Sequence, residues 1–177
     1  MKKFVPAVFV SALALAGCDN NGVKVYHVEN PDTNVVASTL PQLKYTLPAG
    51  WTEKPATAMR VASFDISQNG KTADVSIVPL GGDAGGDLAN VTRWRGQVGL
   101  PPAAADELPS LAQKIQIAGQ DGKLFDIGGS SQRILGAVLQ RGDTAWFFKI
   151  LGDADLVEAQ KAAFVSFLQT LQFSDAR

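Results

Sequence analysis

Thr144-Ala145-Trp146-Phe147-Phe148-Lys149-Ile150-Leu151 is the stretch that decides the fold. Successive side chains of an extended strand point to opposite faces. Trp146, Phe148 and Ile150 therefore share one face, while Ala145, Phe147 and Leu151 share the other. Both faces are apolar, which marks a central strand covered on both sides. Such a strand requires helices above and below its sheet.

Working outward, Arg133 to Gln140 is a partner strand joined through Arg141-Gly142-Asp143. Lys114 to Ala118 and Lys123 to Ile127 flank Gly119-Gln120-Asp121-Gly122, a further hairpin signal. Upstream, Leu43 to Leu47 ends at the turn Pro48-Ala49-Gly50-Trp51. Met59 to Ile66 follows, with Val61 and Ser63 on one face and Ala62, Phe64 and Ile66 on the other. Asn69-Gly70 then turns the chain into Ala73 to Leu80. Two segments have helical period instead. Leu88, Val91, Trp94 and Val98 form one stripe, with Asp87 placed as N-cap. Leu156, Val157, Phe164, Phe167, Leu168 and Leu171 form the other. Residues 103–112 have room for a further helical turn, limited by Pro109.

The order is βββ-α-ββββ-α, and the hairpins make the sheet mostly antiparallel. The expectation is an α+β domain, an α/β/α sandwich with helices on both sheet faces. This order, together with the turn Pro48-Ala49-Gly50-Trp51, resembles the PsbP/Mog1-like fold. The resemblance covers roughly residues 43–174 in element order. The stretch from Asn90 to Gln97 and the strand Trp146-Phe147-Phe148-Lys149 also look like uncharacterised bacterial lipoproteins of this type. The resemblance implies an assembly or stabilising factor more often than an enzyme, since one fold hosts many functions.

The start of the chain supplies an address. Lys2 and Lys3 precede an apolar run from Phe4 to Leu15, broken only by Pro6 and Ser11. The run falls short of the roughly 20 residues that a spanning helix needs and reads as a secretory signal. Leu15-Ala16-Gly17-Cys18 resembles the bacterial lipobox, and Cys18 is the only cysteine. This implies a signal peptide over 1–17, an acylated Cys18 with a tether over 18–42, and one globular domain over 43–177. Two or more acyl chains on Cys18 would anchor the chain without a transmembrane helix. Asp19 and Asn20 resemble the sorting signal for the periplasmic face of the inner membrane. Within the tether, Val23 to Val28 alternates and reads as a possible edge strand.

Composition narrows the function classes. The 177 residues are 46% hydrophobic, with 16 Lys+Arg against 17 Asp+Glu. This excludes a wholly disordered chain and argues against nucleic-acid binding. Loss of Lys2 and Lys3 leaves the mature form at about −3, a balance that attracts neither phosphate nor anionic lipid. One His and one Cys exclude a His-based metal cluster and a disulfide framework. His27 lies in the tether, Ser130-Ser131 has no base at a recognisable spacing, and Asp126 and Asp143 form no evident pair. No enzyme activity and no cofactor are expected.

Two features remain. On the first helix, Asn90, Arg93 and Gln97 lie beside the buried stripe, and Arg93 and Gln97 are four residues apart. One reading makes them a docking patch for a carboxylate or backbone of an envelope protein partner. The other makes Trp94 core and pairs the arginines with local acids such as Asp87. The Gly81–Gly86 loop precedes a helix, but it lacks a P-loop ending, and Asp83 and Asp87 repel phosphate. It reads as a strand-to-helix connection. The alternative function is small-ligand binding in a pocket near this loop and Trp51 or Trp146.

Overall fold

A computed structural model describes residues 42–174. Signal peptide, Cys18, Asp19, Asn20, His27 and the possible strand at Val23 to Val28 lie outside the described residues.

Seven strands form the main sheet. They are β2 (Trp51–Lys54), β3 (Ala62–Gln68), β4 (Lys71–Gly81), β5 (Ala112–Ile117), β6 (Gln120–Gly128), β7 (Gln132–Arg141) and β8 (Thr144–Asp153). Their order is β2-β3-β4-β8-β7-β6-β5, and every neighbouring pair is antiparallel. β8 is thus the middle strand, as its two apolar faces require. β1 (Gln42–Lys44) pairs with β9 (Gln172–Ser174) in a separate two-stranded ribbon. From β4 the chain crosses through α1 (Gly86–Gln97) and the short α2 (Leu108–Leu111) to the far edge. It then returns by hairpins from β5 to β8. α3 (Ala154–Thr170) follows β8 directly.

The helices cover opposite faces. On the first face, Phe64, Val75, Ile77, Leu135, Trp146, Phe148 and Ile150 pack against Leu156, Val157, Phe164, Phe167 and Leu168 of α3. Trp51, whose N–H donates to the Pro48 carbonyl at 3.2 Å, has ring centroids 5.9 Å from Phe64 and 5.3 Å from Phe167. Its indole Nε1 donates to Gln160 Oε1 at 2.9 Å, so the large ring is buried with its polar atom satisfied. On the second face, Phe125, Ile127, Ile134, Ala145 and Phe147 pack against Val91, Trp94 and Val98. The expected α/β/α sandwich is the architecture found.

Several local expectations differ from the structure. Trp51 opens a strand rather than only closing a turn, because residues 51–54 pair with Ile66 back to Ser63. The β5–β6 hairpin turns at Ala118-Gly119, both at positive φ, rather than through Gly119 to Gly122. Asp87 is not the N-cap of α1. Gly85, at φ 87°, takes that position, and Asp87 sits in the first turn, where its charge suits the helix N-terminus. α3 begins after Asp153, whose carboxylate accepts from the Thr72 amide at 2.7 Å and so ties the helix start to β4.

α3 is further held by a charged cluster. Asp126 accepts from Arg133 Nε at 2.7 Å and Nη2 at 2.9 Å, and from Lys161 Nζ at 2.6 Å. Burial pushes the Asp126 carboxyl up, but the hydrogen bonds and charges of Arg133 and Lys161 outweigh it, and the net shift is downward. Asp126 is thus an anion held between two cations, Arg133 and Lys161.

Candidate functional site

The second face is covered unevenly, and that places the site. α1 lies over β6, β7 and β8 because Trp94 rests on Gly136, where an added Cβ would come within 2.6 Å of the indole. Trp94 is flanked there by Phe125 and Phe147. The register continues from Gly136 to Lys149, Ser76, Ser63 and Lys54. A polar row thus runs from beneath α1 across the half of the face that no helix covers.

Beside α1 this row forms a cleft of about 190 Å³, lined by Arg60, Ser76, Leu80, Asn90, Arg93, Gln97 and Lys149 among others. All three sequence-predicted residues of α1 reach it, in different roles. Asn90 is 3% exposed, so it belongs to the interior rather than to an open patch. Its Nδ2 donates to the carbonyls of Gly86 at 2.7 Å and Ala84 at 3.2 Å, which turns its Oδ1 toward Arg93. Arg93 is exposed and donates to that oxygen at 2.7 Å. Gln97 accepts from Lys149 Nζ at 3.1 Å.

The charges in the cleft are unbalanced. Arg93 and Lys149 have no carboxylate partner among the described residues. Arg60 Nη1 bonds both oxygens of Asp74, at 3.0 and 2.9 Å, and Asp74 also takes Lys54 Nζ at 2.9 Å. Lys54 further contacts Asp65 at 2.8 Å. Arg60 and Lys54 thus take up the two carboxylates between them, and Arg93 and Lys149 are left with neither. Burial, and secondly the charge of Arg60, lower the Lys149 pKa, with Asp74 offsetting part of this. The Ser63 Oγ, on the same row, is buried without a hydrogen-bond partner among the described residues.

Arg60 and Lys149 were not among the sequence candidates. Lys149 had a signal, because it is the one charged side chain within the apolar run from Ala145 to Leu151. Arg60 had none. The competing reading of the helix also holds in part: Trp94 is core, and Arg95 lies 3.5 Å from Glu107 and donates to the Pro101 carbonyl at 2.7 Å. Asp87, however, pairs with Lys123 and with neither arginine.

The Gly-rich loop is the strand-to-helix connection expected. It is fixed by Gly82 N donating to the Asp143 carbonyl at 2.8 Å and by Gly85 N donating to Asp83 Oδ1 at 3.1 Å. Beside it lies a pocket of about 450 Å³, lined by Asp83, Asp87, Lys114, Asp121, Lys123 and Gln140 among others. Neither Trp51 nor Trp146 reaches it, because both are buried in the core under α3. Among the described residues no group of His, Cys, Asp and Glu is placed to hold a metal ion, and no helix is long and apolar enough to cross a membrane.

No protein-family model matches the sequence, and no curated protein matches it. Solved structures similar to the chain include the following three. LpqN, described as involved in cell envelope biogenesis of Mycobacterium tuberculosis, shares 14% identity over 77% of this chain and 86% of its own, with a TM-score of 0.45. The cyanobacterial PsbP of Synechocystis shares 12% over 90% and 99%, with a TM-score of 0.45. A protein of Bacteroides thetaiotaomicron shares 14% over 75% and 45%, with a TM-score of 0.38.

Proposed function

We propose that this chain is a lipid-anchored envelope protein that acts by binding a protein partner, as an interaction, assembly or stabilising factor, rather than by catalysis. The observation that carries the reading is the cleft beside α1, where an exposed guanidinium held by a buried amide has no ion-paired carboxylate among the described residues. Preorganised donors of this kind favour recognition. The address rests on the sequence: a signal over 1–17, acylation of Cys18, and Asp19 with Asn20 retaining the protein on the periplasmic face of the inner membrane.

Affinity purification of the full chain from membranes in mild detergent, followed by mass spectrometry, tests the reading. Recovery of a stoichiometric envelope protein supports it, and recovery of the chain alone, where known complexes survive, opposes it. The pocket beside the Gly-rich loop favours a second reading, a small-ligand binder or sensor. Thermal-shift screening separates the two, since a ligand that binds only the native state raises its apparent stability.

A further inference from the structure

We infer that the cleft beside α1 takes an acidic segment of a protein partner, with one carboxylate seated between Arg93 and Lys149 and a neighbouring apolar side chain laid on Val61 and Leu80. The inference rests on the reading of the chain as a binding protein and gives that binding its chemistry.

Charge supplies the first argument. Arg93 spends one hydrogen bond on Asn90 Oδ1, which leaves most of its planar fork open for a carboxylate. Lys149 spends one on Gln97. Neither cation has an ion pair with a carboxylate among the described residues, though the charge of Asp74 acts on Lys149, and Arg60, paired with Asp74, also lines the cleft. A carboxylate brought here gains charge-assisted hydrogen bonds at a site already partly desolvated, where such bonds are stronger than in open water.

Apolar surface supplies the second. Among the described residues the large hydrophobic side chains left exposed are Met59 at 71%, Val61 at 39% and Leu80 at 37%. All lie at one end of the β3–β4 hairpin. Strand alternation puts Val61 and Leu80 on the uncovered half of the second face. Val61 is joined to the sheet by its N–H, which donates to the Ile77 carbonyl at 3.0 Å, and Leu80 lines the cleft itself. Met59 and Val61 flank Arg60 in sequence. A hydrated inorganic anion would leave these side chains in water. A peptide with an acidic residue beside an apolar one covers them while satisfying the cations.

The test uses the mature full chain and a terminally blocked, fluorescent peptide of alternating Leu and Glu. Its Leu/Gln counterpart, inorganic phosphate and anionic lipid vesicles serve as comparisons. The Leu/Glu peptide should bind with micromolar to millimolar affinity by fluorescence anisotropy, and the Leu/Gln peptide at least about tenfold more weakly. Arg93→Ala and Lys149→Met should each weaken binding by about ten- to a hundredfold, with unchanged circular dichroism. Leu80→Ser should weaken it further, where phosphate binding alone would be unaffected. Failure of the Leu/Glu peptide to bind would overturn the inference, as would equal binding of the Leu/Gln peptide or full competition by phosphate or vesicles. A partner that co-purifies equally with wild type and Arg93→Ala would leave the chain a binding protein and remove this cleft from the role. Absence of any partner would instead remove the broader reading.

Discussion

Gly136→Ala isolates the contact that holds α1, and with it Arg93 and Gln97, in place. The new Cβ would meet Trp94 Cζ3 at 2.6 Å, Cη2 at 2.8 Å and Cε3 at 2.9 Å, all inside ordinary van der Waals contact. The indole has little room to retreat, with ring centroids 5.9 Å from Phe125 and 6.3 Å from Phe147. Overpacking of this kind costs about 1–3 kcal/mol. Replacing glycine within a strand returns about 0.5–1 kcal/mol of backbone entropy. The difference spans about 0–2.5 kcal/mol, and contacts this short place the expected destabilisation in its upper half, read as a lower urea midpoint at unchanged slope. A double-mutant cycle with Trp94→Ala supplies the control, because the alanine penalty should vanish once the ring is gone. A Gly136→Ala variant as stable as wild type, or a penalty that persists without the indole, would refute the packing argument.

Further outcomes follow from other parts of the molecule. Asp126→Asn leaves Arg133 and Lys161 without their shared anion and should cost about 1–3 kcal/mol in the same urea titration. Because the folded Asp126 carboxyl is shifted downward, the unfolded chain takes up its proton first. Its contribution is therefore complete above the unfolded value of about 3.9 and is lost as pH falls through the lower folded value. Asp126→Asn should accordingly flatten the acid limb of the stability profile, and an unchanged limb would contradict the assignment. Ser63→Ala removes a buried hydroxyl without a partner among the described residues, so it should be neutral or stabilising by up to about 1 kcal/mol. A clear loss would show that the hydroxyl is bonded. Cys18→Ser should release the full chain from the membrane fraction, and retention would sink the lipid anchor.

Much of the architecture was legible because it rests on strong local signals. The two-faced run from Ala145 to Leu151 announced the central strand, and Asn69-Gly70 announced its hairpin through residues that tolerate positive φ, here 52° and 75°. The β5–β6 turn was harder to place because Ala118 takes φ 50°, a conformation no alanine advertises. β2 carries one buried residue, Trp51, and β9 none, so neither has an alternation to read. Both exist because a neighbouring strand pairs with them. In the site, the spacing of Arg93 and Gln97 placed them together on α1. The burial of Asn90 was hidden, since its partners are backbone carbonyls of the loop just before and at the helix start. Arg60 and Lys149 reach the cleft from opposite sides of the β4–β8 pairing, a non-local contact that no sequence window contains.

The central claim is that the uncovered face beside α1 is where a partner docks. A photo-crosslinking residue placed at Leu80 in living cells tests this most directly, with the same residue at Ala162 on the exposed side of α3 as the comparison. The account predicts a discrete adduct from position 80 to one envelope protein, lost when Arg93→Ala is added, and no adduct from position 162. An adduct from position 162 with none from position 80 would contradict it.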